Sequence, residues 1–298
     1  MDARALFSII RPQNCLIGGL TVISGISIAF YVSPVGVYAD YYLTLLIAYL
    51  TYFFVAAGGN VVNDIFDIEV DRINRPHRVL PSGRMTVRQA WAYVVVLGIL
   101  GIVLALLNGV LGALLVITFI LVGYAYAAKV KTLGIAGNFM VAFSFAFGVI
   151  YGSFIYGEQT GVLSIPLPTW LFFVTAFMIL QARETIKGAE DVEGDTLRDV
   201  RTIARVHGHR VAAAVAALFN VIGVVCYALV WFLGFASWDL WLLMVVGSVV
   251  VIGAAVSPMT GPADKKRLLI GSTLDKVGAL VGLIAFVVIP LYGIFFAP

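Results

Sequence analysis

Three observations make this sequence that of an all-α membrane protein with nine transmembrane helices. Hydrophobic residues make up 61% of its 298 positions and charged residues only 12%, whereas globular chains are about half apolar and a quarter charged. Several apolar stretches reach the roughly 18 to 20 residues that a helix needs to cross hydrocarbon, and the alternating pattern of a β-barrel is missing. Finally, the cations fall only at alternate ends of those stretches, as a fixed orientation across a bilayer requires.

The first span, centred near Ser24, follows Arg4 and Arg11. It starts near Asn14, has no small-residue cleavage site and is too long for the apolar part of a signal peptide, so it is read as a permanent helix. Span two centres on Tyr49 and is followed by Arg72, Arg75, Arg78, Arg84 and Arg88. Spans three and four centre on Val96 and Phe119, and Lys129 and Lys131 come after them. Span five lies about Phe145, and span six, about Ala176, leads into the cations between Arg183 and Arg210. Spans seven and eight centre on Ile222 and Val246; Lys265, Lys266, Arg267 and Lys276 then precede span nine at Ile284. All 19 Lys and Arg residues thus belong to the amino terminus or to even-numbered loops, and the other face has only the acids Asp40, Glu158 and Asp239. The predicted topology is a cell-membrane protein with its amino terminus and charged loops cytoplasmic and its carboxyl terminus outside.

The distribution of charge says more than the net charge of +3. It suits anionic ligands or lipid headgroups on one face and gives no reason to expect nucleic acid. Cys15 and Cys226 both fall in apolar helices, which excludes a disulfide framework and zinc-ligand spacing. His77, His207 and His209 are read as solvated loop residues, and no nucleophile-elbow sequence accompanies them. Residues 1–298 are read as one transmembrane domain with functional loops at about 63–86 and 183–204, and nothing in them indicates an obligate protein partner.

Ten of the 16 acids lie between Asp64 and Asp71 or between Glu184 and Asp199. One cluster follows span two and the other span six. That matching offset, repeated by Lys129/Lys131 and Lys265/Lys266, suggests two four-helix units plus a ninth helix around a central cavity.

Helical spacing puts Asn63, Asp67 and Asp71 of the first cluster in one row, with Asp64 nearby. Carboxylates so close repel one another unless cations join them. Mg²⁺ prefers oxygen ligands and is commonly held by one or two carboxylates with substrate phosphates; the neighbouring Arg72, Arg75, Arg78 and Arg84 suit phosphate geometry. In the second cluster Arg183, Lys187, Asp191 and Asp195 recur every four residues. Pairing of Lys187 with Asp191 would stabilise a helix by only a few tenths of a kcal/mol, about 0.2–0.5, and would leave the first cluster unexplained. Together the clusters can hold two magnesium ions across one diphosphate and stabilise it as a leaving group.

The two motifs, Asn63-Asp64-x-x-Asp67-x-x-x-Asp71 after span two and Asp191-x-x-x-Asp195 after span six, resemble those of the UbiA superfamily of intramembrane prenyltransferases, as do the number of spans and the placement of loops. Asp71-Arg72-Ile73-Asn74-Arg75-Pro76, Pro81-Ser82-Gly83-Arg84, the run from Arg183 to Asp195 and Arg11-Pro12-Gln13-Asn14-Cys15 are most similar to the archaeal members that move geranylgeranyl from its diphosphate to geranylgeranylglyceryl phosphate, forming an ether bond. The resemblance implies a shell of Asn63, Asp67, Asp71, Asp191 and Asp195 for Mg²⁺, the four aspartates being catalytic. Asn63, Arg72, Arg78, Lys131, Lys187, Asn14 and Tyr126 are then the substrate contacts. Gly188 replaces an acid common in those members, and Tyr126 to Lys131 is one residue longer than their usual Tyr-x-x-x-Lys. An aromatic acceptor such as 4-hydroxybenzoate would use the same metal-diphosphate half of the site, and a cation or metabolite transporter is the reading from outside enzymology. Phe53, Phe54, Phe139, Phe143 and Phe147 are read first as packing residues.

Overall fold

The computed structural model describes residues 2–35, 38–130, 135–192 and 202–296, and among them there is no strand. The helices are α1 (Ala3–Ile9), α2 (Pro12–Val32), α3 (Tyr38–Phe66), α4 (Ile68–Asn74), α5 (Val87–Asn108), α6 (Val110–Ala128), α7 (Ile135–Thr160), α8 (Leu167–Glu190), α9 (Ile203–His207), α10 (His209–Phe232), α11 (Trp241–Thr260) and α12 (Lys265–Phe295). Eight of them are long and apolar enough to cross a membrane. The predicted sixth span, α8, has 24 residues but stands apart from those eight, because Gln181, Arg183, Glu184, Lys187 and Glu190 make its end polar.

Helix α2 sits inside the bundle, packed on α3, α7 and α12. Without a hydrophobic force between helices in lipid, close approach depends on small residues. A Cβ on Gly25 would overlap the Val149 carbonyl, and one on Gly152 would overlap that of Val22. The contact is sealed where Ser153 Oγ donates to the Gly25 carbonyl at 2.8 Å. Ser24 Oγ likewise donates to the Phe286 carbonyl of α12 at 2.7 Å.

Helix α3 packs on α5 and α6; α8 packs on α7, α10 and α12; α10 and α12 both pack on α11. At the end opposite the acidic motifs, Glu158 accepts from the Leu111 and Gly112 N–H groups at 2.8 Å each. One of the few acids on that face therefore caps the start of α6. A cavity of about 290 Å³ there is lined by Asp40, Thr44, Asn108 and Gln159, some 34 Å from Asn63 along α3.

Short helices α1 and α9 were not anticipated, nor was the place of two histidines. His207 ends α9 and His209 starts α10, with Gly208 at φ +86° between them. Both belong to helices because a single left-handed glycine makes the whole turn. Cys15 and Cys226 are free thiols within α2 and α10, as expected.

Candidate active site at two helix ends

Both acidic motifs lie where long helices end. Helix α3 stops at Phe66 and α4 starts at Ile68, yet the four-residue hydrogen bonding runs through the break. Asp67 N–H donates to the Asn63 carbonyl at 3.0 Å and Asp71 N–H to the Asp67 carbonyl at 2.8 Å. The predicted row of Asn63, Asp67 and Asp71 therefore survives the interruption. In the second motif Asp191 N–H donates to the Lys187 carbonyl at 3.0 Å, and Asp191 is the C-cap of α8. A helix C-terminus carries partial negative charge. Adding carboxylates to two such ends makes each a place that favours cations.

Some of that demand is met within the chain. Asp64 and Asp71 are each 5% exposed. Arg11 Nη2 donates to Asp64 Oδ1. Arg78 Nη1 lies 3.3 Å from the same oxygen and 2.5 Å from Asp71 Oδ2. Arg72 does not join this group: its Nη1 bonds both Glu69 oxygens, at 3.0 and 3.1 Å, on the exposed side of α4. Asn14 is exposed on α2, and Lys187 is half-buried on α8.

The rest of the demand is unmet. Asn63 Oδ1 and Glu190 Oε1 are buried with no hydrogen-bond partner. Buried acceptors without donors are costly, and an oxygen-loving cation is the group that satisfies them. Among the described residues no three His, Cys, Asp or Glu side chains form a ready-made metal cluster. Mg²⁺ does not need one, since it retains waters and takes phosphate oxygens from its substrate. Oxygen-bearing side chains at the helix ends are of the kind this ion takes.

Neighbouring helices connect the two ends. Helices α3 and α8 are joined through α2 and α7, and Tyr126 of α6 is close enough to Asp67 and Glu184 to feel both charges. Asn138 Nδ2 of α7 also donates to the Glu184 carbonyl at 3.4 Å. Phe139, Phe143 and Phe147 of α7 stack at 5.9 and 5.5 Å, with Phe177 of α8 edge-on to Phe139 at 5.0 Å.

The loop after the first motif is held firmly. Arg84 Nη2 donates to the His77 carbonyl at 2.9 Å; Val79, Leu80 and Met85 share a buried core with Ala5, Ile9 and Ile10. Gly188 has a local reason: a Cβ there would lie 3.1 Å from Thr202 Cγ2, and Thr202 caps α9. Lys131 and Asp195 lie outside the described residues.

Sequence reasoning passed over Arg11 and Asp64 as partners and left Glu190 without a role of its own. It also missed Asp275, wholly buried on α12, whose Oδ1 accepts from Asn220 Nδ2 at 2.9 Å.

The fold is that of an all-helical protein with eight helices long and apolar enough to span a membrane and with acidic residues at the ends of two long helices. The profile of the UbiA prenyltransferase family matches residues 18–268. The chain belongs to that family. It is 33% identical over 291 residues to the digeranylgeranylglyceryl phosphate synthase of Saccharolobus solfataricus, covering 96% of each chain. It is 37% identical over 227 residues to that of Thermococcus gammatolerans, covering 76% of this chain and 77% of the relative. A solved structure described as digeranylgeranylglyceryl phosphate synthase in membranes superposes with a TM-score of 0.79 at 28% identity, over 97% of this chain and 98% of the other. An Archaeoglobus fulgidus UbiA homologue bound to GPP and Mg²⁺ shares the fold, with a TM-score of 0.61 at 16% identity over 96% and 100% of the two chains.

Proposed function

We propose that this protein transfers a geranylgeranyl group from its diphosphate to geranylgeranylglyceryl phosphate, making an ether bond of the kind found in archaeal membrane lipids. The observation that carries the reading is full-length identity, 33% over 96% of both chains, with a relative named for that product. The paired helix ends with orphaned oxygens supply the chemistry.

Asn63, Asp67 and Asp71 from one motif and Asp191 and Asp195 from the other hold Mg²⁺, two ions in this reading. Bound Mg²⁺ draws charge from the diphosphate and makes it a better leaving group. Arg78, Lys187 and Lys131 contact phosphate oxygens, with Arg72 and Asn14 at the rim and Tyr126 beside Asp67. The acceptor hydroxyl oxygen bonds to the allylic carbon as that carbon's bond to the diphosphate breaks, and the hydroxyl proton passes to the released diphosphate. Holding donor and acceptor in line supplies much of the acceleration. The aromatic wall of α7 and α8 excludes water and receives the prenyl tail.

Residues 1–298 act as one domain of nine spans, with α8 as the sixth. The neighbour order α2–α3–α5–α6 and α7–α8–α10–α11 supports two four-helix units, and α12 is the ninth span. The amino terminus and both motifs face the cytoplasm, where donor and acceptor enter from the membrane.

The test is a Mg²⁺-dependent assay of purified protein with geranylgeranyl diphosphate, offering geranylgeranylglyceryl phosphate and 4-hydroxybenzoate together. Selective ether formation is expected. Selective prenylation of the aromatic ring would replace the acceptor, and magnesium-independent flux with no product would indicate a transporter.

A further inference from the structure

Two arginines meet the buried carboxylates of the first motif, Arg11 at Asp64 and Arg78 at Asp64 and Asp71. Asp64 belongs to the motif by sequence, but it follows Asn63 by one residue and so points about 100° away from the row of Asn63, Asp67 and Asp71. Its Oδ1 is taken by two guanidinium groups, those of Arg11 and Arg78.

Both arginines are brought there by backbone that is itself fixed. Arg11 has φ +50°, and among the described residues it is the one non-glycine with positive φ. That conformation is unfavourable for a residue with a Cβ. Arg11 is the N-cap of α2 but makes no side-chain cap bond there; its side chain is turned to Asp64 instead. Arg78 precedes Val79 and Leu80, whose buried side chains share one core with Ala5, Ile9 and Ile10 of the amino-terminal arm. Two segments distant in sequence thus present their cations to one carboxylate from a single packed unit.

Arg78 has a second partner. Its Nη1 is 2.5 Å from Asp71 Oδ2 as well as 3.3 Å from Asp64 Oδ1, so one nitrogen bridges a carboxylate outside the row and one within it. A divalent ion arriving on the row repels that guanidinium at short range, and a diphosphate attracts it with charge-assisted hydrogen bonds. We propose that Asp64 is an arginine anchor and not a metal ligand, and that Arg78 exchanges Asp71 for the diphosphate when metal and substrate enter together. The proposal rests on the site reading above. It makes metal binding and diphosphate binding cooperative: metal alone competes with Arg78, and diphosphate removes the competitor.

The test measures Mn²⁺ binding to the purified full-length protein by electron paramagnetic resonance, with and without geranylgeranyl thiolodiphosphate, a non-transferring donor analogue. Without the analogue, Arg78→Gln should bind Mn²⁺ at least about threefold more tightly; with saturating Mn²⁺ it should bind the analogue about tenfold more weakly. Asp64→Asn should keep Mn²⁺ affinity within about twofold and lose about tenfold in analogue affinity. Arg78→Lys, which retains the charge, should keep metal affinity near wild type. Unchanged or weaker Mn²⁺ binding by Arg78→Gln would overturn the exchange, and so would equal tightening in Arg78→Lys. Loss of Mn²⁺ binding in Asp64→Asn would make Asp64 a ligand. Wild-type protein that binds no Mn²⁺ would overturn the underlying site reading too, whereas normal wild-type binding beside an unaltered Arg78→Gln overturns the exchange alone.

Discussion

Asn63 and Asp275 are two cases of a buried polar side chain in an apolar bundle. Asn63 Oδ1 has no partner and lies in the motif row, where an incoming ion can satisfy it. Asp275 Oδ1 has a donor in Asn220, at 2.9 Å, which ties α12 to α10, while its Oδ2 has none. Removing that donor leaves a buried carboxylate unpaired, so Asn220→Ala should lower stability by about 1–3 kcal/mol. Thermal unfolding in detergent should show a lower midpoint; an unchanged midpoint would mean that water replaces the amide without cost. The residue scale was only partly legible. Asn63, Asp67, Asp71 and Asp191 could be read because a four-residue repeat is visible in a string of letters. The Arg11–Asp64 pair spans 53 positions, and Asp275 is a lone acid in an apolar stretch, so no spacing pointed to either. At Gly188 an added Cβ would crowd Thr202, 3.1 Å from its Cγ2.

At the scale of helices, hydropathy located the spans well because eight of them carry an apolar stretch long enough to cross a membrane. The four-residue row of Arg183, Lys187 and Asp191 already marked the polar last turns of α8. Hydropathy did not show that α2 and α7 touch backbone to backbone, since glycines at Gly25 and Gly152 carry no periodic signal. That contact predicts that Gly152→Leu forces α2 and α7 apart, costing about 1–3 kcal/mol or more. The loss would appear as a lower unfolding temperature and reduced recovery of monodisperse protein. A variant as stable as wild type would show that the two helices can part without penalty. Gly83, in an exposed turn with open space around its Cβ position, marks the contrast: Gly83 needs its φ of +74°, whereas Gly152 needs the missing side chain.

For the whole molecule, the confinement of all 19 cations to alternate loops predicts that a cysteine introduced near Arg4 is shielded from an impermeant thiol reagent in intact cells. One introduced near Phe296 should be labelled. Labelling at the amino-terminal site alone would invert the topology and put both motifs outside. The fold itself was legible because lipid admits few architectures, whereas the acceptor came only through the family resemblance, since donor and metal chemistry are common to both prenyltransferase readings of the two motifs. What unites the molecule is the claim that two helix ends, 124 residues apart between Asp67 and Asp191 in the sequence, work as one site. The most direct measurement is Mg²⁺-dependent geranylgeranyl transfer by purified wild type, Asp67→Ala and Asp191→Ala, each confirmed to be folded in the membrane fraction. One composite site predicts that either substitution alone lowers turnover by about a hundredfold or more, and that combining them adds little. Near-normal turnover by either single variant would contradict it.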